Sequence, residues 1–415
     1  MNKLITSLVL LASILVAQLP MSADVHAEEE KKKRPTQLVG PSVGKKIGKA
    51  FELYTADDID GALVMLLDID ASKTYDRAYV DRFIAVMYAT KGDQEQKAID
   101  YLKKAVAPDI LNEADHGESL KLLADLQMQT KAYNDALKNY YAWMDFTGKS
   151  DGNTWVKVAQ AYAELKQLDK IIVPADKAIA AYGDKHNQNP YILKVMSYYE
   201  RKMFKDAVKV LETVLQLFPE NKQWWTQLGM FYLLVEDYPK GLATLDLAYK
   251  RGFLEKESEI KTLANLYASN EIPYKSAKLL EKHIDSGLVK RDDKNLAALA
   301  NAYHAAQHID KAAKYYGEVA KLTGLAKHYR KQGMLLKQDE QFKAAIVALN
   351  KSLELDAKDS GKIQMSIAES HFYLGQYKQA YAAIKKAVQD PKTSKSAKSW
   401  LSFIKDTAQR KNVAI

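Results

Sequence analysis

Pro190 to Gly252 reads PYILKVMSYYERKMFKDAVKVLETVLQLFPENKQWWTQLGMFYLLVEDYPKGLATLDLAYKRG and holds one pattern twice. An aromatic residue (Tyr191, then Trp225) precedes a packing position (Val195, then Gly229) and a tyrosine (Tyr198, then Tyr232). After a turn come Phe204 and Tyr238, a small residue (Ala207, then Gly241), and Leu211 and Leu245. Each member lies 34 residues beyond its counterpart. That period, with apolar positions at helical spacing on either side of a turn, marks a repeated helix–turn–helix unit.

The same spacing extends in both directions. Upstream it picks out Ala50, Leu53, Ile59 and Ala62, then Ile84, Ala85, Tyr88, Gly92 and Ala98 with one extra residue in the turn. Leu123, Ala124, Ala136 and Tyr140 follow, then Trp155, Val158, Ala159, Tyr162 and Ala175. Downstream, a seventh unit carries Ile260, Ala264, Tyr267, Tyr274 and Ala277, its turn lengthened by one around Pro273. Units around Ala300 and Tyr303, Gly333 and Phe342, and Ala368 and Tyr377 complete ten in residues 44–394.

Two small residues per unit, one on each helix, let the backbones approach where the helices cross. Aromatic side chains then fill the wedge toward the next unit, each buried Leu or Phe contributing roughly 1.5–3 kcal/mol. No unit collects that energy without its neighbour, so stability is shared along a stack. Gly229 and Gly333 fall mid-helix, where Gly costs about 1 kcal/mol relative to Ala; close helix contact is the expected compensation. Val195 and Ile171 occupy positions that are elsewhere small.

Composition agrees with this class. The 415 residues contain 10 Pro and 18 Gly, too few for a turn-rich β protein, and no Cys, which excludes disulfides and thiol chemistry. Near the N-terminus, Lys3 precedes an apolar run from Leu4 to Leu19, closed by Pro20 and followed by Val25-His26-Ala27. This predicts a secretory signal peptide, residues 1–27, cut after Ala27 or else Ala23, and a periplasmic or secreted product. The alternative, an uncleaved anchor, has a run shorter than the roughly 20 apolar residues of a membrane span. Residues 28–43, opening EEEKKKRPTQLVGP, read as a flexible charged leader. Residues 395–415 read as a capping helix and basic tail, with Ala397, Trp400, Leu401 and Ile404 on one face. Between Lys378 and Lys411 nine Lys and Arg face two acids, so most of the net charge of +9 sits at this end.

Trp225-Leu228-Gly229-Tyr232-Tyr238 resembles the tetratricopeptide repeat pattern, and Trp155-Val158-Ala159-Tyr162 and Gly375-Tyr377-Ala380 follow it in part. The resemblance implies an all-α, right-handed superhelix of about ten repeats that binds proteins or peptides. The signal peptide without Cys, the segment RPTQLVGPSVGKKIGKAFELY (Arg34–Tyr54) and the full-length array are similar to exported tetratricopeptide proteins encoded beside TonB energy-transduction systems. That narrower likeness implies a periplasmic accessory of a TonB complex driving siderophore or haem uptake. An envelope adaptor on peptidoglycan or a cell-wall enzyme, held through the basic end, is the alternative.

Motifs of catalysis are missing: no GxSxG, Walker loop, HExxH or GxGxxG occurs. His304 and His308 have helical i,i+4 spacing without a third ligand in view, so neither a metal nor a cofactor is expected; a net charge of +9 is dilute over 46.7 kDa, so no nucleic-acid partner is expected either. In the tetratricopeptide family certain positions on the first helix of each unit line a concave groove. Here they are Ile192, Met196, Tyr199, Thr226, Met230, Leu233 and Leu234, an apolar stretch that either docks a peptide or packs internally. Farther along stand Lys261, Asn265, Lys294, Asn301, Lys327, Arg330 and Lys331. Lys261 and Asn265, with Lys327 and Lys331, are similar to the clamp by which some tetratricopeptide modules hold a peptide carboxylate; Ala298 departs from it.

Overall fold

The computed structural model describes residues 34–356 and 358–415; the expected signal peptide and its cleavage site lie outside them. Among the described residues there are twenty-one α-helices, one short 3-10 segment and no strand. The chain forms two compact units that divide between Lys149 and Ser150. The sequence spacing runs evenly across this point and gave no sign of it; what marks the place is the polar loop Gly148–Asp151, where Gly148 ends a helix at positive φ.

The first unit contains three helix pairs: α1 (Pro41–Thr55) with α2 (Ile59–Leu67), α3 (Thr74–Lys91) with α4 (Glu95–Val106), and α5 (Glu113–Gln129) with α6 (Tyr133–Thr147). The second unit contains seven. These are α7 (Gly152–Glu164) with α8 (Ile172–Tyr182), α9 (Asn189–Glu200) with α10 (Phe204–Leu217), and α11 (Lys222–Leu234) with α12 (Tyr238–Lys250). Then follow α13 (Glu257–Ser269) with α14 (Pro273–Asp285), α15 (Asp293–Ala305) with α16 (Ile309–Thr323), α17 (Ala326–Gln338) with α18 (Phe342–Leu355), and α19 (Ser360–Tyr373) with α20 (Tyr377–Val388). A last helix, α21 (Ser394–Arg410), packs on the final pair and closes the stack. The ten pairs and the terminal helix match the repeat spacing read from the sequence.

Each crossing in the second unit is built from two residues of which at least one is small. A Cβ on Gly229 would lie 2.5 Å from Leu245 Cγ, and one on Gly333 would lie 2.6 Å from Leu349 Cγ. The contact therefore excludes even a methyl group, which explains glycine in mid-helix. The two bulky departures are compensated by their partners. Ile171 packs against Ala159, its helix opening as a 3-10 turn over Leu168–Ile171, and Val195 stands in the pair whose second helix offers Ala207.

The turns inside the pairs are nearly identical. After α9, Lys202 takes φ +58° while its N–H bonds Tyr199 O and the Met203 N–H bonds Tyr198 O, a Schellman closure. Glu236, Gln307, Glu340 and Gly375 repeat this at the ends of α11, α15, α17 and α19. After α13, Glu271 takes the same left-handed conformation and the Ile272 N–H bonds Tyr267 O. The turn at Pro273 is therefore not lengthened, contrary to the sequence expectation; residues 270–272 form the ordinary connection. The small crossing residue of α14 becomes Ser276, which is 2% exposed, while Tyr274 faces solvent. The extra length instead lies before α13, in residues 251–256.

One polar contact recurs between pairs. The hydroxyl of Tyr232 donates to Glu212 at 2.6 Å, Tyr267 donates to Asp246, and Tyr303 donates to Glu281 at 2.5 Å. In each case a tyrosine late in the first helix reaches a carboxylate on the second helix of the preceding pair. A lysine eight residues on, Lys240, Lys275 or Lys311, covers the tyrosine ring at 4.7–5.4 Å. A hydroxyl confined beside the core is thereby satisfied by a charge-assisted bond.

Residues 34–40 correct the expectation of a flexible leader running to residue 43. Helix α1 begins at Pro41, and the segment before it is tied down. Arg34 donates to the carbonyls of Asp109 (2.8 Å) and Leu111 (3.3 Å) and pairs with the Asp109 carboxylate, its guanidinium 4.6 Å from the Phe146 ring centre. Asn112 accepts from the Gln37 N–H at 2.9 Å and donates to the Gln37 carbonyl at 3.1 Å, as a neighbouring strand would. Tyr75 donates to the same carbonyl, and the Gly40 N–H donates to Asp76. These bonds span 36 to 77 residues of sequence, which is why composition alone did not show them.

Candidate functional site

Cavities open beside the first helices, and eight of the fourteen residues singled out from the sequence fall into three of them. Between α9 and α11 lies a cavity of about 380 Å³. Helix α9 contributes Ile192, Met196 and Tyr199, which share one face because they recur at helical spacing. Ile192 and Tyr199 are each 48% exposed, whereas Met196 partly packs against Ala159, Ile171 and Ala175. Helix α11 lines the opposite wall with Gln223, Trp224, Gln227 and Phe231. Tyr199 and Phe231 meet edge to face at 5.8 Å.

The wall from α11 was missed. Taking the same repeat positions from every unit selects Thr226, Met230, Leu233 and Leu234, none of which lines this cavity. Met230 and Leu234 are exposed; Leu233 packs into the adjoining core and lies 2.8 Å from where a Cβ on Gly241 would stand. Trp224, not Trp225, is the deeply buried ring, and its Nε1 donates to Gln188 Oε1 at 2.8 Å. Asn221 Nδ2 donates to the same oxygen at 2.7 Å, so Gln188 is fixed at the cavity rim. The tandem WW was visible in the sequence; which ring turns inward depends on the facing helix.

A second cavity, about 610 Å³, lies among α13, α14 and α15 and contains Asn265, Ala298 and Asn301. Asn301 Oδ1 accepts from the Tyr316 hydroxyl at 2.7 Å. A third, about 360 Å³, contains Lys327, Arg330, Lys331, Asp359 and Lys362 between α17 and α19. Arg330 bonds Asp359 at 2.7 Å and holds its carboxyl below the ordinary range. Lys331 lies 5.9 Å above the Tyr316 ring, and burial together with the charge of Lys327 lowers the pKa of His328. Lys261 and Lys294 line none of the three; Lys261 is 3.6 Å from Glu257. The four residues compared with a carboxylate clamp are thus spread over separate places, with Lys327 and Lys331 alone sharing a cavity.

Between α12 and α14, beside the end of α13, a cleft of about 560 Å³ gathers Tyr249, Tyr267, Tyr274, Lys278 and Glu281. Burial alone would raise the Glu281 carboxyl, but hydrogen bonds from Tyr303, Tyr315 and Lys278, with the charge of Lys311, outweigh it and hold the group at about 2. This cluster is internally satisfied and reads as structure. His308 stacks on Tyr274 with ring centres 4.9 Å apart and meets Tyr303 edge on. Among the described residues no three His, Cys, Asp or Glu side chains converge as a metal site, and no helix is long and apolar enough to cross a membrane.

A family model described as a tetratricopeptide repeat matches residues 329–359, which cover most of α17 and α18. No curated protein matches the chain in sequence. Among solved structures, a tetratricopeptide repeat protein from Parabacteroides merdae is 12% identical, over 68% of this chain and 94% of its own, with a TM-score of 0.34. YrrB, a tetratricopeptide protein described as having an unusual peptide-binding site, is 15% identical over 46% of this chain and 97% of its own, with a TM-score of 0.35. MamA is 20% identical over 40% of this chain and 90% of its own, with a TM-score of 0.33. Residues 329–359 thus match a tetratricopeptide repeat, and in the all-α structure described here helix pairs of similar spacing stand on either side of them.

Proposed function

We propose that the chain is a non-enzymatic scaffold that holds a segment of a partner protein in the cavities between its first helices. The carrying observation is the α9–α11 cavity. It exposes an isoleucine and a tyrosine beside Phe231, while Gln188, Gln223 and Gln227 supply amide groups at its edge. An apolar floor with a few polar groups suits an extended or helical peptide. Downstream the surface turns to asparagine and then to lysine and arginine, which favours a partner segment carrying acidic residues.

The finer reading is a periplasmic accessory of a TonB-linked uptake system. It rests on the N-terminal export signal and the resemblance of Arg34–Tyr54 and the full-length array. A photo-crosslinker placed at Tyr199 in cells tests both levels. The expected product joins the chain to a component of the TonB complex and is lost with Phe231→Asp. Crosslinking to an unrelated envelope protein would keep the scaffold and remove the TonB reading. No crosslink at Tyr199 or Ile192, with normal siderophore uptake in a deletion strain, would remove both. The second reading, an envelope adaptor on peptidoglycan, draws on the basic C-terminal end and predicts salt-sensitive retention on sacculi that is lost without residues 378–415.

A further inference from the structure

The charge of this molecule is not spread along it. Residues 326–415 contain seventeen Lys and Arg against eight Asp and Glu, a surplus equal to the formal net charge of +9 of the whole chain. Residues 1–325 balance, with 44 of each sign from totals of 61 and 52. Within the basic region the nine cations from Lys378 to Lys411 are all exposed, and among the described residues none joins an ion pair. Of the two acids there, Asp390 is engaged with the backbone N–H groups of Gly361 (3.1 Å) and Lys392 (2.9 Å). The patch is therefore cationic with little internal neutralisation.

The same end carries an aromatic cluster that is partly packed on the core and leaves two rings, Tyr373 and Phe403, exposed. Phe372 links Tyr377, Trp400 and Phe403 at 5.2–5.7 Å, and Tyr373 stacks on Phe342 at 5.1 Å. Tyr373 is 59% and Phe403 48% exposed. Helix α21 buries Ala397, Ile404 and Ala408 against the last pair and leaves Lys395, Lys398, Phe403 and Lys405 outward. Half-exposed rings among unpaired lysines on a helix that is already anchored have the composition of an interfacial contact.

We propose that this end, α20 and α21 with the rings beside them, docks on an anionic phospholipid surface. Lysines near such a surface are attracted by its negative potential, each by an amount that makes three of them worth more than tenfold in partition. The rings select a bilayer over a bare polyanion. A polyanion meets the lysines and leaves Phe403 and Tyr373 in water, whereas the headgroup–acyl boundary accepts both charge and ring. This site is separate from the peptide cavities and holds whether or not the scaffold reading does.

Vesicle co-sedimentation tests it, using the chain expressed from its own first residue so that any contribution of the N-terminal segment is common to every arm. Phosphatidylcholine vesicles with and without phosphatidylglycerol are compared. The expected result is binding that needs phosphatidylglycerol and falls as salt rises. Lys395→Gln/Lys398→Gln/Lys405→Gln should weaken it about tenfold or more, and Phe403→Ser several-fold. All four side chains are exposed, and an unchanged melting curve verifies that the variants fold; the salt titration of the unaltered chain reads the charge dependence independently. Equal binding to both vesicle types, or no effect of the triple substitution, would overturn the proposal. Binding to peptidoglycan sacculi with none to vesicles would overturn it in favour of a polyanionic partner.

Discussion

At Gly229 a rule about helices reverses. In an open helix, alanine in place of glycine gains about 1 kcal/mol, but here the new methyl would lie 2.5 Å from Leu245 Cγ. Overpacking of this kind costs about 1–3 kcal/mol, so, net of that gain, Gly229→Ala is expected to lower the unfolding free energy in urea by up to about 2 kcal/mol. A neutral or stabilising result would show that α12 can retreat. Glu281 shows a different balance. Its carboxyl lies at about 2 in the folded chain against an ordinary 4.5, so its contribution is complete above about pH 4.5 and disappears as pH falls through about 2. Allowing for solvent at the open side of the cleft, it amounts to about 1–2 kcal/mol. Glu281→Gln should therefore be less stable than the unaltered chain at neutral pH, with the gap narrowing toward pH 2; melting curves across that range measure it. The tyrosines of this network stood out in the sequence at their repeat position. Their acceptors did not, because Glu212, Asp246 and Glu281 precede their partners by 20, 21 and 22 residues, and a drifting separation hides a contact that geometry keeps constant.

Elements in this chain are set mostly by local signals, and the exceptions are where distant parts meet. Helix pairs follow from the period of small and aromatic residues, which is why ten of them could be counted beforehand. The error at α14 came from preferring Tyr274 as its first aromatic; with Pro273 at the first position, the ordinary three-residue turn needs nothing but a left-handed residue at Glu271. A non-glycine side chain in that conformation costs about 1–2 kcal/mol, partly offset by the greater unfolded freedom of glycine. Glu271→Gly is thus expected to stabilise by about 0.5–1 kcal/mol, and Gln307→Gly similarly; a loss of stability would mean these side chains make contacts that the turn depends on. The strap at residues 34–40 was beyond local reading, since its partners lie in the α4–α5 connection and at the start of α3. Arg34→Ala removes three hydrogen bonds and the contact with Phe146. Faster amide exchange at Gln37 and Gly40, with helix α1 retained, is the outcome expected. Unchanged exchange there would show that Asn112, Tyr75 and Asp76 hold the segment without it.

The candidate site belongs to the scale of the whole stack, and this limited how much of it could be read. A cavity between α9 and α11 needs one face from each helix, so a list of equivalent positions recovers one wall and misplaces the other. The stack also has ends, and α21 occupies one of them. It places Ile404 in the core with Trp400 and Leu401 against it, apolar side chains worth roughly 1.5–3 kcal/mol each when fully buried. Because pairs in such an array draw their stability from neighbours, loss of the terminal helix is felt most beside it and fades with distance. A chain ending at Thr393 should therefore show its largest rise in hydrogen exchange in α19 and α20, a smaller one in α17 and α18, and little by α13. An even rise from α7 to α20 would instead make the second unit one cooperative body, with α21 stabilising all of it at once. In the graded case, any contact that steadies α21, an anionic surface included, slows opening chiefly in the last two pairs. The α9–α11 cavity, three pairs farther in, would then keep its shape whether or not the C-terminal end is engaged.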